Sequence, residues 1–180
     1  MVHKGTVTLA TERLTLRRLT IDDAEDVFQG WSGSLENSRF VMRSPHLSIT
    51  ETQEMLQEYV RKYDQSDFYM WGIVFEGLLI GYICGNEINE DIRSICLGYC
   101  ITKTHWNKGF ATEAAKALID FFFLIGFNRV FSYHNPLNPA SGKVMQKCGM
   151  QFEGRIRGGS MLAGEICDCL QYAVLAGDRI

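Results

Sequence analysis

Residues 101–112 read ITKTHWNKGFAT. An apolar run ends at Ile101, a short turn follows, and Gly109 and Ala111 sit where apolar residues begin to recur at helical spacing. Small residues at such a junction let main-chain N–H groups come close to a ligand, and the helix dipole adds positive potential. Lys103 and Lys108 add two formal charges to the same rim. These properties suit an anion, most naturally a phosphate, although an ordinary strand-to-helix turn with a glycine accounts for the same letters. The segment is not a Walker loop, because no GKS or GKT closes it. Nor does it carry the G-x-G-x-x-G of dinucleotide folds.

The flanking chain supplies the rest of the fold. Upstream, SICLGYCI (94–101) reads as a strand apolar on both faces, hence central. Before it, FYMWGIVF (68–75), Glu76-Gly77 and LLIGYIC (78–84) form a hairpin. Residues 6–19 alternate as a first strand, and a helix follows from Thr20. Ser48 and Glu51 are spaced as a capping box ahead of a stripe made by Ile49, Leu56, Tyr59, Val60 and Tyr63. Downstream, 111–125 is a helix closed by Gly126, 128–134 a short strand and 138–149 a short helix. A terminal strand pair, 150–157 and 165–176, surrounds a loop GGSMLAG. The expected class is α/β (α+β): a mixed, mostly antiparallel seven-stranded sheet with about four helices, in a single domain spanning 1–180.

Composition excludes several classes. The 180 residues carry 21 acidic and 18 basic side chains, a net charge of −3, without the basic runs of a nucleic-acid binder. The longest apolar stretch, near 118–125, is broken by Asp120 and too short to span a bilayer. The opening MVHKGTVTLATERL lacks the apolar segment of a signal peptide, so the six cysteines are expected as reduced thiols in a cytoplasmic protein.

NKGFATEA after LGYCI, followed by NPLNPASGKVMQKCGM, resembles the GNAT superfamily of acetyl-CoA-dependent N-acetyltransferases, especially the ribosomal-protein alanine N-acetyltransferase branch. TERLTLRRLTIDDAEDVF, GYICG and CDCLQYAVL resemble that branch too, so the likeness runs over almost the whole chain. It implies splayed central strands and a phosphate loop on residues 106–111, with Trp106 where Gln or Arg is usual. Main-chain donors of Asn107, Lys108, Gly109, Phe110, Ala111 and Thr112 would cradle the pyrophosphate of coenzyme A. Tyr99 and Ile101 would offer main-chain hydrogen bonds to pantetheine, and Asn138 would hold the same arm. Ser141 would protonate the departing thiolate; helix capping is the plainer reading of Asn138 and Ser141. The reaction implied is direct attack of a primary amine on the thioester, with a backbone N–H near Ile101 polarising the carbonyl.

The chain departs from that branch at the base: Cys96 and Ser160 stand where members often carry acids. An α-amine of pKa near 7.8 is about 15% neutral at pH 7 and a lysine amine below about 0.1%, so the lack of a strong base favours an α-amine acceptor. Asp168 and Glu87 remain as remote bases, with solvated or ion-paired surface acids the plainer reading. An acetyl-cysteine at Cys96 lacks a visible activating partner. Cys167 and Cys169 are expected on opposite faces of a strand and so not as a metal pair, and the four histidines show no ligand spacing; His134 is expected to be structural. Trp31, Phe40, Tyr69 and Trp71 are candidates for an acceptor wall, with core packing the default for Trp71.

The leading expectation is therefore an N-acetyltransferase using acetyl-CoA as co-substrate, without metal, acting on a small-molecule amine or a protein N-terminus. No nucleic-acid or membrane partner is expected, and the chain is a monomer or homodimer. The alternative is an acyl-CoA-binding regulatory protein with little turnover. Nucleotide hydrolysis is disfavoured by the missing Walker residues.

Overall fold

The computed structural model describes residues 1–38, 40, 44–162 and 164–179. Its strands are β1 (Leu9–Ala10), β2 (Leu14–Arg17), β3 (Tyr69–Phe75), β4 (Leu78–Asn89), β5 (Ser94–Ile101), β6 (Arg129–His134), β7 (Gln151–Leu162) and β8 (Glu165–Leu175). Its α-helices are α1 (Ala24–Val27), α2 (Leu35–Ser38), α3 (Ile49–Lys62), α4 (Phe110–Leu124) and α5 (Pro139–Lys147). The strands form one sheet in the order β1-β2-β3-β4-β5-β6-β8-β7, antiparallel except for β5 against β6.

Eight strands replace the expected seven because the run 6–19 folds back on itself. Leu14 N donates to the Thr11 hydroxyl (2.9 Å) and Thr11 N to the Leu14 carbonyl (2.9 Å), which turns the chain between β1 and β2. The helix expected from Thr20 is instead a 3₁₀ turn (Ile21–Asp23), α1 and a π-helical turn (Phe28–Ser32), and the short α2 is additional, so the described residues hold five α-helices where about four were expected. Asp23 anchors this entry: Thr20 N donates to it (2.7 Å), and Arg17 holds both carboxylate oxygens (2.8 and 2.7 Å). The loop GGSMLAG is mostly strand, since β7 continues to Leu162 through a register shift between Ile156 and Ser160. Val60, assigned to the buried stripe of α3, is exposed, and Thr52 is buried in its place. The Ser48 cap is present, accepting from Glu51 N (3.4 Å).

Two apolar layers flank the sheet. On one face α4 and α5 bury Leu118, Ile119, Phe122 and Met145 against Leu16, Ile73, Ile83, Ile95 and Leu97. Each such aliphatic contributes about 1.5–3 kcal/mol by leaving water. On the other face α1 and α3 pack Val27, Leu56 and Tyr59 around Leu19 and Leu79. Tyr69 and Trp71 lie in the first layer, 1% and 0% exposed, ringed by Phe121 and Phe122 of α4; they are core and do not wall an acceptor site. No helix among the described residues is long and apolar enough to cross a membrane.

Candidate functional site

β5 and β6 pair at only three positions, ending at Cys96↔Phe131. The Ser132 hydroxyl then donates to the Leu97 carbonyl (2.7 Å), a last tie before the strands part. β5 stays with β4 as far as Gly81↔Ile101, and β6 stays with β8 as far as His134↔Leu170. A wedge therefore opens in the middle of the sheet. Thr102 N donates to the Ile80 carbonyl (2.8 Å), which makes Gly81↔Ile101 a non-hydrogen-bonded pair of the β4–β5 ladder. By the two-residue period, the main-chain groups of Tyr99 and Ile101 face the wedge. The Trp106 indole N–H takes the Ile101 carbonyl (2.6 Å), leaving the Ile101 amide as that residue's group on this edge.

At the open end of the wedge the chain turns into α4. Asn107 (φ +60°) and Gly109 (φ +84°) are both left-handed, a geometry that aims successive amides into one concavity. Gly109 is the N-cap and has no side chain to satisfy the helix end. The first helical bond is Glu113 N to the Gly109 carbonyl (3.0 Å), so the amides of Phe110, Ala111 and Thr112 precede the intrahelical ladder. Lys108 is exposed on this rim, whereas Lys103 is committed to Glu36 of α2 (2.8 Å) and is not a free charge there.

A network not apparent in the sequence braces this loop. Glu113 accepts from the Thr11 hydroxyl (2.6 Å), Arg13 N (2.8 Å) and Arg13 Nε (2.7 Å). Arg13 also donates to the Lys108 carbonyl (3.2 Å) and lies over the Phe110 ring, 4.6 Å from its centroid. Burial alone would push the Glu113 carboxyl up, but the bonds from Thr11 and Arg13 outweigh it and hold the group below its ordinary value. Glu113 lies in the first turn of α4, and its pairing with Arg13, 100 residues away in sequence, has no local sequence signal.

The α5 side of the wedge carries the remaining predicted residues. Asn138 is the N-cap of α5, its side-chain oxygen accepting from Ser141 N (3.4 Å). The Ser141 hydroxyl lies 3.0 Å from the Tyr99 phenol, which also donates to the Ser141 carbonyl (3.0 Å). Burial pushes the Tyr99 phenol up, so it stays protonated. Sequence reading assigned Tyr99 only a main-chain role. His134 has the structural role expected of it: buried, with Nδ1 on the Asn135 carbonyl (2.8 Å) and its ring stacked on Tyr172.

Cys96 is buried on the opposite face, where burial and then the Glu87 carboxylate push its thiol up, which disfavours a thiolate nucleophile. Asp168 is tied to Arg155 (2.7 Å) and Gly158 N (2.9 Å), an exposed ion pair. Glu87, by contrast, accepts from the Tyr133 phenol (2.7 Å). Cys167 and Cys169, expected on opposite faces, share one, as residues two apart on a strand do. All six cysteines are free thiols, and no group of three or more His, Cys, Asp or Glu among the described residues could hold a metal. Trp31 is buried against Tyr82 (ring centroids 5.8 Å apart), and Phe40 is half-buried.

The comparisons with known proteins agree with this geometry. The acetyltransferase (GNAT) domain family matches residues 13–151. Two relatives from Bacillus subtilis (strain 168) bear N-acetyltransferase names. The uncharacterized N-acetyltransferase YoaA is 32% identical over 83% of this chain and 85% of its own. The putative ribosomal N-acetyltransferase YdaF is 27% identical over 91% and 92%. Mycobacterium smegmatis RimJ, solved in complex with CoA-disulfide, superposes with a TM-score of 0.90 at 18% identity, covering 99% of this chain and 92% of that one. The alternative of a purely regulatory acyl-CoA binder finds no support among these relatives. The chain belongs to the GNAT family, and its reaction is the transfer of an acetyl group from the co-substrate acetyl-CoA to an amine nitrogen.

Proposed function

We propose that the acceptor is an α-amino group, that of a protein N-terminus or of a small molecule, and that the whole chain acts as one cytoplasmic transferase domain. The amides of residues 107–112 receive the pyrophosphate of acetyl-CoA, with Lys108 adding charge. Tyr99 and Ile101 give main-chain bonds to pantetheine, whose amides need partners once desolvated. Asn138 holds the start of α5 against the same arm. The amine attacks the thioester carbon, a main-chain N–H of β5 near Ile101 stabilises the developing oxyanion, and the carbon–sulfur bond breaks. The thiolate takes a proton from the Ser141 hydroxyl, which the Tyr99 phenol holds in place; of the two protons the ammonium gives up, one restores Ser141 and the other leaves to water.

The observation that carries this reading is the wedge between β5 and β6, with an uncapped helix end at its mouth and the Ser141–Tyr99 pair on its α5 side. An α-amine is favoured because its neutral fraction at pH 7 exceeds that of a lysine amine by about two orders of magnitude. The name of YdaF points to a ribosomal substrate for that relative, in keeping with a protein N-terminus here. Calorimetry with coenzyme A, followed by thiol release against N-terminal peptides, small α-amines and lysine side chains at pH 7, tests it. Faster turnover of lysine amines would overturn the α-amine assignment; no heat with coenzyme A, from folded protein, would overturn the site.

A further inference from the structure

β4 runs regularly against β5 as far as Asn86↔Cys96, and pairing resumes only at Asn89↔Ser94. Glu87 and Ile88 thus stand together opposite Ile95: a bulge with one extra residue. Within it Glu87 has φ +48°, a left-handed conformation that an L residue adopts at a cost of about 1–2 kcal/mol. The other left-handed residues besides glycine, Glu76, Arg93 and Asn107, belong to turns and loops. Glu87 lies within a strand.

The bulge re-aims a side chain. In an unbroken strand, Glu87 would point to the face opposite Asn86 and Cys96. Instead its carboxylate accepts from Tyr133, which shares the face of Phe131 and hence of Cys96 across the β5–β6 ladder. The Glu87–Tyr133 bond bridges β4 to β6 over Cys96, where β5 and β6 begin to part. The titratable groups facing Glu87 are Tyr133 from β6, Cys96 from β5 and Cys169 from β8. Burial and the bond to Glu87 push Tyr133 up, and burial first pushes both thiols up. None of the three supplies a competing anion at neutral pH.

Resting on the acetyl transfer proposed above, we infer that Glu87 is the catalytic base, delivered from β4 by the bulge to the face of the sheet that carries Cys96 and Tyr133, with Tyr133 as its positioning residue. Through intervening water, the carboxylate takes one proton from the incoming ammonium. The freed lone pair forms the carbon–nitrogen bond as the carbon–sulfur bond breaks, and the second amine proton ends on the coenzyme A thiol by way of Ser141. Glu87 then returns its proton to water. Cys96, standing where an acid was expected, lies directly beneath this carboxylate, so an acid from the neighbouring strand occupies the same neighbourhood.

The test compares wild type, Glu87→Gln and Tyr133→Phe by kcat against pH with an N-terminal peptide acceptor, and by coenzyme A affinity. A pair of ammonium and carboxylate carries the same net protons as neutral amine and carboxylic acid. Wild-type kcat should therefore be nearly level across neutral pH. Without the base, kcat should follow the neutral amine and rise about tenfold per pH unit below pH 7, starting roughly a hundredfold lower. Tyr133→Phe keeps the carboxylate but removes the phenol that positions it, and should lower kcat several-fold while the pH profile stays level. Unchanged coenzyme A affinity in both variants reports an intact fold. Glu87→Gln with wild-type kcat and a level profile would overturn the inference about Glu87 alone. A wild-type protein that binds coenzyme A yet acetylates no amine would overturn the functional reading together with it.

Discussion

Gly142→Ala tests whether α5 is seated on β6 without slack. A Cβ at Gly142 would lie 2.5 Å from His134 Nε2 and 3.0 Å from Cε1. Ordinary contact begins near 3.5 Å, so about 1 Å of movement is required of the ring or the helix. The ring is held by its Nδ1 bond to the Asn135 carbonyl (2.8 Å) and by stacking on Tyr172, with centroids 5.7 Å apart. The helix is the part that moves, and Ser141 is the adjacent residue. Its hydroxyl and carbonyl, both 3.0 Å from the Tyr99 phenol, would go beyond hydrogen-bonding reach. Stability alone is a poor gauge, because overpacking costs about 1–3 kcal/mol while replacing glycine by alanine inside a helix returns up to about 1. Turnover is the sharper readout: a misplacement of about 1 Å should lower kcat on the order of a hundredfold. Coenzyme A affinity, set mainly at α4, should change little. Adding His134→Ala reopens the space and should recover at least about tenfold of the loss. A Gly142→Ala protein with kcat within twofold of wild type would refute the seating of α5 described here.

Further outcomes follow from the same contacts. Tyr99→Phe keeps the main chain of β5 and removes both bonds to Ser141; it should cost about 1 kcal/mol in urea unfolding and lower kcat without weakening coenzyme A binding. Gly109→Ala meets no steric obstacle, since its Cβ would lie 3.5 Å from Arg13 Nη2, but φ +84° imposes about 1–2 kcal/mol of backbone strain. Calorimetry should show coenzyme A affinity reduced about tenfold, the equivalent of 1.4 kcal/mol. Arg13→Ala removes the tie to Lys108 and the ion pair with Glu113, and should raise the coenzyme A Kd several-fold while sparing kcat at saturation. Burial pushes the Asp23 carboxyl up, yet the bonds from Arg17 and Thr20 and the Arg17 charge prevail and hold it below its ordinary value. Its contribution to stability is therefore complete above the usual carboxylate range and lost as pH falls through the lowered value. Urea midpoints of Asp23→Asn should be lower than wild type at pH 7 and converge with it as pH falls below the usual carboxylate range.

Legibility followed sequence distance. SICLGYCI is β5 to the residue, and the helix after NKG differs from α4 by one position at each end, because apolar periodicity and a glycine N-terminus act within a few residues. The first strand was read as one because alternation continues through the turn at Thr11–Arg13. What breaks it is the Thr11–Leu14 exchange, fixed from outside by Glu113 of α4. GGSMLAG carries glycines that signal a loop, but a long antiparallel partner in β8 absorbs them as strand with a register shift. Propensity gave way there to cross-strand pairing.

The same rule separates the two halves of the site. The anion-receiving turn is built of consecutive main-chain groups, so its chemistry lies in the order of its letters. The groups that handle protons are side chains from different strands, and their meeting depends on register. Tyr99 reaches Ser141, 42 residues away, only because β5 parts from β6 and lets α5 settle over the opening. Glu87 looks in sequence like a surface acid beyond a hairpin strand; one extra residue in β4 turns it onto the face of Cys96 and Tyr133. A position-by-position reading finds Cys96 where an acid is expected and records a loss. In three dimensions the carboxylate stands one strand over, which is why a missing acid in this family is a question about strand register before it is one about chemistry.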